Sequence, residues 1–416
     1  MRYNLFLFLL LLFNCFQSKR VPLDFNSSVG NLFAFATIIN SNTSNSNSIR
    51  LSYPTDRYEF IQNTTITPIQ PTISSVSSCS IQPSLVTGLV FNTRDCSITG
   101  STSVWLSETK YTVRANNSSA STSAELKIAI SSDASSWRSE TLPSSQQWRD
   151  VIEFKGNFVA IALGTNISAS SIDGNSWNTN SLPTTANWNR LAKNDSILVA
   201  ISSLSNNSAS SVDGINWTQR FLPSSQNWQA IQFGNGVFVA IAGGPSNVSA
   251  TSIDGINWQG RNLPSSQPWS SLSFGNNTFV AVAGGSNNLI ATSSDGINWV
   301  QRNLPSTQFW NTSIFGNNLF VIFATGPSDV YATSTDGINW TQRTLPLSQN
   351  WASITYANGI FVAIAGNPGN TVITSKDGIN WTQRTLPNTL FWNAVGFGNG
   401  KFIAVANTTN SIALSP

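Results

Sequence analysis

Residues 269–306 read WSSLSFGNNTFVAVAGGSNNLIATSSDGINWVQRNLPS. Four short runs within it have strand character: SSLSF (270–274), TFVAVAG (278–284), LIATS (289–293) and INWVQR (297–302). Turn residues part them, at GNN, GGSNN, SDG and LPS. TFVAVAG is apolar on both faces and alternates bulky with small side chains, the pattern of a strand buried between two sheets. The stretch predicts four antiparallel strands joined by short turns.

The same unit recurs along the chain. Asp133, Asp173, Asp213, Asp254, Asp295, Asp336 and Asp377 follow one another at 40 or 41 residues, each with Ser two positions before it. Four positions after them stand Trp137, Trp177, Trp217, Trp258, Trp299, Trp340 and Trp381. A second series, Trp148, Trp188, Trp228, Trp269, Trp310, Trp351 and Trp392, comes five residues after the Pro of a Leu-Pro pair. Together the two series take fourteen of the fifteen Trp, so independent markers agree on seven units. Seven four-stranded antiparallel blades make a closed β-propeller over residues 132–416. SIALS (411–415) aligns with LIATS but has no outer strand after it, which predicts that residues 135–141 complete the last blade.

Composition excludes several chemistries. The 416 residues include no His, one Met and only 9% charged side chains. Without imidazole there is no Ser-His-Asp triad, no His-ligated metal and no His proton shuttle. Net charge is +3, and after residue 131 the 12 Lys/Arg balance 12 Asp/Glu, so phosphate-driven nucleic-acid binding is not expected.

The chain begins MRYNLFLFLLLLFNCFQSKR, with Arg2 ahead of an apolar run, 5–13, too short to span a bilayer. Residues 1–14 read as an export signal. LFNC resembles a loose bacterial lipobox, from which Asn14 departs, and the resemblance implies lipidation of Cys15. Ordinary cleavage a few residues on is the alternative. Residues 15–48, rich in Asn, Ser and Thr, read as a tether. Cys79 and Cys96 are then the remaining pair in an oxidising compartment, and a structural disulfide is expected.

Residues 49–131 hold short β-rich runs and no amphipathic helix pattern. CSIQPSLVTGLVFNTRDCSITGS (79–101), followed by KYTVRANNSSASTSAELKIAI (110–130), resembles the Ig-like (cadherin-like) repeats of bacterial surface proteins. The resemblance implies a β-sandwich that serves as spacer or adhesive module. The fold class expected is therefore all-β: an Ig-like β-sandwich followed by a seven-bladed β-propeller of four-stranded antiparallel blades.

The repeated S-x-D-G-x-x-W resembles the Asp-box of sialidases and of bacterial BNR propellers, although it lacks one residue between Asp and Gly. The resemblance implies a structural turn in which Asp accepts backbone N–H groups, Gly takes positive φ and Trp packs between sheets. One carboxylate per turn is too few for calcium, so no metal and no cofactor is expected.

Sialidases combine an Arg cluster, a Tyr–Glu pair and an Asp acid. The propeller has only Tyr331, Tyr356, Glu140 and Glu153 for the pair, and Arg220, Arg261, Arg302, Arg343 and Arg384 should line the outer strands rather than converge. No catalytic residue is assigned. The connections after TFVAVAG vary between units and share a face with the Leu-Pro-Ser-Ser-Gln connections. Polar and nearly uncharged, that face suits a carbohydrate or protein ligand. The expectation is an exported, lipid-anchored, non-catalytic binding or interaction module at the outer membrane or cell surface, adhesin-like or a scaffold. The alternatives are a secreted or periplasmic protein, a sialidase-like glycoside hydrolase, or an assembly factor for a membrane complex.

Overall fold

The computed structural model describes residues 48–415, and no helix occurs among them. Signal segment 1–14, Cys15 and tether residues up to 47 lie outside the described residues.

The N-terminal part is built on a four-stranded sheet ordered Arg57–Ile61, Ser121–Ser131, Leu106–Asn116, Ser78–Gln82. The first two strands run parallel, Arg57 opposite Lys127, and the other pairs are antiparallel. Along Leu106–Asn116, Tyr111, Val113 and Ala115 are buried while Thr112 and Arg114 are exposed, the period-2 alternation of a sheet with one covered face. Two short ladders, Arg50–Ser52 with Thr72–Ser74 and Leu89–Phe91 with Ile98–Gly100, add Leu51, Ile73, Leu89 and Ile98 to the same apolar core. A disulfide joins Cys79 and Cys96, with Cα atoms 5.4 Å apart. It runs from a strand to a turn. Cys96 has φ of 57° and donates its N–H to Asn92, which folds residues 92–97 tightly under the sheet.

From Arg138 to Ser415 the chain forms seven four-stranded antiparallel blades. In the fourth, Trp269 pairs with Ala283, Phe279 with Ser293, and Ala291 with Gln301. The strand Val300–Gly316 then leaves that blade as its outermost strand and enters the fifth as its innermost. Innermost strands stand side by side around the ring, and Trp392–Gly398 neighbours Arg138–Phe154. The last blade has no outer strand of its own. Thr409–Ser415 pairs instead with the start of Arg138–Phe154, Ile412 opposite Glu140 and Leu414 opposite Arg138.

The core lies between blades. Trp310 packs with Val280 and Val282 of the preceding blade and with Phe320 and Ile322 of its own. All seven members of its series, Trp148 to Trp392, are at most 1% exposed. The Trp137-to-Trp381 series is only half-buried. Trp299 packs against the apolar core, its ring 6.5 Å from that of Phe279 and its Nε1 on the Gly296 carbonyl at 3.1 Å, with part of the ring open to solvent.

The fifteenth Trp sits where the N-terminal strands meet the ring. The Lys401 ammonium lies 4.1 Å from the Trp105 ring centroid and donates to the Asp173 carbonyl at 3.1 Å. Beside it Ser132 donates its N–H to Gly400 at 2.7 Å, and Asn63 donates to the Asp133 carboxylate at 2.9 Å.

Candidate binding face

One face of the ring carries the Ser-x-Asp-Gly turns. At Asp295, Oδ1 accepts from Ile297 N–H and Asn298 N–H at 2.8 Å and from the Ser293 hydroxyl at 2.9 Å, and Oδ2 accepts from Asn298 Nδ2 at 2.8 Å. The same set recurs at Asp213, Asp254, Asp336 and Asp377. Asp173 keeps the backbone and Ser171 bonds. Asp133 keeps one, from Ser135 N–H. Hydrogen bonds to the ionised form, led by Asn339 N–H at Asp336, hold that carboxyl well below the usual carboxylate range. Gly296 has φ of 71°, and a Cβ there would fall 2.4 Å from Val239 of the preceding blade. Donors from the turn itself fill these carboxylates, so the turns build structure. Among the described residues no three Cys, Asp or Glu side chains gather as a metal site.

The turns between the first two strands of a blade have a second task that the sequence conceals. Asn235, Asn276 and Asn399 take positive φ, and each side chain donates to the backbone of the next blade's Ser-x-Asp-Gly turn: Ser294 at 3.0 Å, Thr335 at 2.8 Å and Ile172 at 2.7 Å.

The opposite face carries the variable connections and the ends of the Leu-Pro segments. There the residue after the buried Trp bridges blades at four of the seven junctions: Asn189, Ser270, Asn311 and Asn393 donate to the carbonyls of Trp228, Trp310, Trp351 and Trp148 at 2.7–3.2 Å. Between the third and fifth blades lies a pocket of about 260 Å³ lined by Gln229, Ser270, Asn311, Phe309 and the glycine pairs 243–244 and 284–285. Gly243 and Gly284 donate their N–H groups to the carbonyls of Asn227 and Pro268, which fixes the pocket's floor. Phe309 is 54% exposed, and Phe391, at the equivalent position of the seventh blade, is 50% exposed.

Among solved structures the chain is similar to virginiamycin B lyase from Staphylococcus aureus, with a TM-score of 0.60 and 14% identity over 68% of this chain and 99% of that one. It is also similar to the β-propeller domain of Myceliophteria thermophila Cps50 (Swd1), with a TM-score of 0.52 and 10% identity over 67% and 100% of the two chains. The fold is a β-propeller. A third similar structure is PorZ, a bacterial surface component of the type-IX secretion system of Porphyromonas gingivalis (TM-score 0.50, 11% identity, 67% of this chain and 37% of that one). At these identities the likeness is one of fold. No family profile and no curated protein sequence matches the chain.

Within the propeller, the Tyr and Glu side chains of a sialidase-type pair have other partners. Tyr331 is 1% exposed and donates its hydroxyl to the Ile379 carbonyl at 3.1 Å. Tyr356 lies against Phe361 with ring centroids 4.5 Å apart and the rings tilted by 47°. Glu153 pairs with Lys193, and Glu140 with Arg138. In the outer-strand arginine series, the Nε groups of Arg220, Arg261 and Arg343 donate across to Ser210, Thr251 and Thr333 of the neighbouring strand.

Proposed function

We propose that this chain is a non-catalytic binding module whose variable-loop face holds a neutral carbohydrate. The observation that carries the reading is the pocket between the third and fifth blades, where Gln229, Ser270 and Asn311 offer hydrogen-bonding groups beside the exposed ring of Phe309. Polar groups in a fixed ring, next to an aromatic face on which a sugar's C–H surface can stack, suit a hydroxylated ligand. The Ser-x-Asp-Gly turns are read as Asp-boxes and the N-terminal sheet as the Ig-like module. Export with a lipid on Cys15 would place both at a bacterial surface.

A lyase or sialidase reading has less support. A histidine-to-alanine variant of the virginiamycin B lyase is described as catalytically inactive. The present chain has no histidine, and neither propeller Tyr meets a Glu.

Screening the protein against immobilised neutral oligosaccharides, with Phe309→Ala beside the wild type, tests the proposal. Binding that weakens in Phe309→Ala supports it. Turnover of a sialoside, or capture of peptides with no glycan bound, overturns it.

A further inference from the structure

Charge inside the ring is confined to two blades. The innermost strands of the third to seventh blades, 228–234, 269–275, 310–316, 351–357 and 392–398, contain no charged residue. The first two carry Arg149, Asp150, Glu153, Arg190 and Lys193. Glu153 and Lys193 neutralise each other at 2.5 Å. Asp150 accepts the N–H groups of Val151 at 2.9 Å and Leu191 at 2.8 Å. It thus ties one blade to the next as Ser271 and Ser353 do at the same position, where they accept the N–H groups of Ser313 and Val395. Its oxygens accept only backbone N–H groups, while its charge acts at longer range on both Arg190 and Arg149.

That leaves the two arginines. Arg149 Nε and Arg190 Nη1 converge on one oxygen, Asn189 Oδ1, at 3.0 and 3.2 Å. Asn189 is 2% exposed and neutral, and Arg190 Nη1 also donates to its carbonyl. Among the described residues no carboxylate lies within 4.0 Å of either guanidinium, and the remaining Arg149 donors meet no acceptor. Two half-buried cations sharing a neutral acceptor repel each other. Burial first and then the Arg190 charge push the Arg149 guanidinium down to about 10, against the opposing charge of Asp150, which lies beyond 4.0 Å. Arg149 and Asn189 occupy the positions that Gln229, Ser270 and Asn311 hold where these line the loop-face pocket.

We propose that Arg149, Asn189 and Arg190 form an oxyanion site at the loop-face end of the innermost strands of the first two blades, accepting a carboxylate, sulfate or phosphate group carried by a ligand. Planar guanidinium forks offer paired N–H donors that match two oxygens of such a group. The site is independent of the neutral-sugar pocket, because it uses other blades and opposite ligand chemistry.

Titration calorimetry of the full chain with sodium sulfate, phosphate and acetate, at constant ionic strength against chloride, tests it. Saturable binding is expected, weakened about tenfold or more by Arg190→Gln. Arg190→Lys should recover part of it, and Arg220→Gln on an outer strand should leave it unchanged. Binding of acetate together with the tetrahedral anions assigns a carboxylate-bearing ligand, whereas binding of sulfate or phosphate alone assigns an ester. A wild-type response no greater than that to chloride overturns the proposal, as does binding that persists unchanged in folded Arg149→Gln and Arg190→Gln. Should the Gln variants fail to fold, the wild-type comparison with chloride decides.

Discussion

Gly275 faces the ring of Phe315 across the gap between the fourth and fifth blades, where a Cβ on the glycine would fall 1.9 Å from ring carbon Cγ. Gly234 stands likewise against Phe274, and Gly316 against Tyr356. At these three junctions the aromatic of one blade needs the glycine of the blade before it. The first and second blades carry Glu153 and Lys193 in place of that aromatic, and Phe154, Asn194 and Ala357 stand in the first, second and sixth blades where the others hold glycine. Gly275→Ala should destabilise the ring by about 1 to 3 kcal/mol through overpacking. Adding Phe315→Ala makes room for the methyl, so urea denaturation of the double variant should show a loss smaller than the sum of the single ones. Strictly additive losses would mean that the two residues do not share this gap.

The two tryptophan series differ in burial, and the difference is measurable. Trp310, 1% exposed between two blades, should cost about 3 to 5 kcal/mol on replacement by Ala, because the cavity it leaves is closed on all sides. The half-buried Trp299 should cost about half as much, since part of its ring already meets water. Equal losses in thermal or denaturant unfolding would contradict the assignment of core and rim.

Much of this architecture is legible before any coordinates. The 40- or 41-residue spacing of Asp295 and its counterparts gives the blade count, and the apolar run TFVAVAG marks the buried second strand. Which tryptophan is buried is not legible, because both series share one period and only packing against the neighbouring blade separates them. The same holds for Asn276, which reads as a turn residue until its side chain is seen to reach Thr335 in the next blade. Arg149 and Arg190 carry no motif and lie 41 residues apart. Only ring geometry brings both to Asn189. A sequence period describes what blades share, so the departures from it, where a ligand would be chosen, are seen only when the blades stand side by side.

The acidic turns set a pH dependence whose sign follows from their hydrogen bonds. A free Asp titrates near about 3.9, while the turn carboxyls of Asp213, Asp254, Asp295, Asp336 and Asp377 are held well below that in the fold. Their stabilisation is complete above the unfolded value and is lost progressively as pH falls towards the folded ones. The melting temperature should therefore drop on acidification below about pH 4. Asp295→Ala should cost about 1 to 3 kcal/mol at neutral pH through its lost turn hydrogen bonds. The gap between this variant and wild type should narrow as the pH is lowered, and a gap that stays constant down to pH about 2 would show that the ionised form of Asp295 does not matter.

Ring closure makes the sharpest demand on the chain. Residues 411–414 pair with 138–141, so the last blade is held by strands from both ends of the propeller. Ile412 and Leu414 bury their side chains completely beside Phe158 and Val405. Deleting residues 411–416 removes the third strand of that blade, strips Arg138, Ser139, Glu140 and Thr141 of their pairing partners and leaves two new unpaired edges inside a blade whose only other edge is its outermost one. An open ring can unfold blade by blade from either edge, so loss of a single cooperative transition, or aggregation, is expected. Calorimetry of the truncated protein checks this. A melt as sharp and as high as the wild type would mean that the contacts between innermost strands hold the ring closed without the exchanged strand.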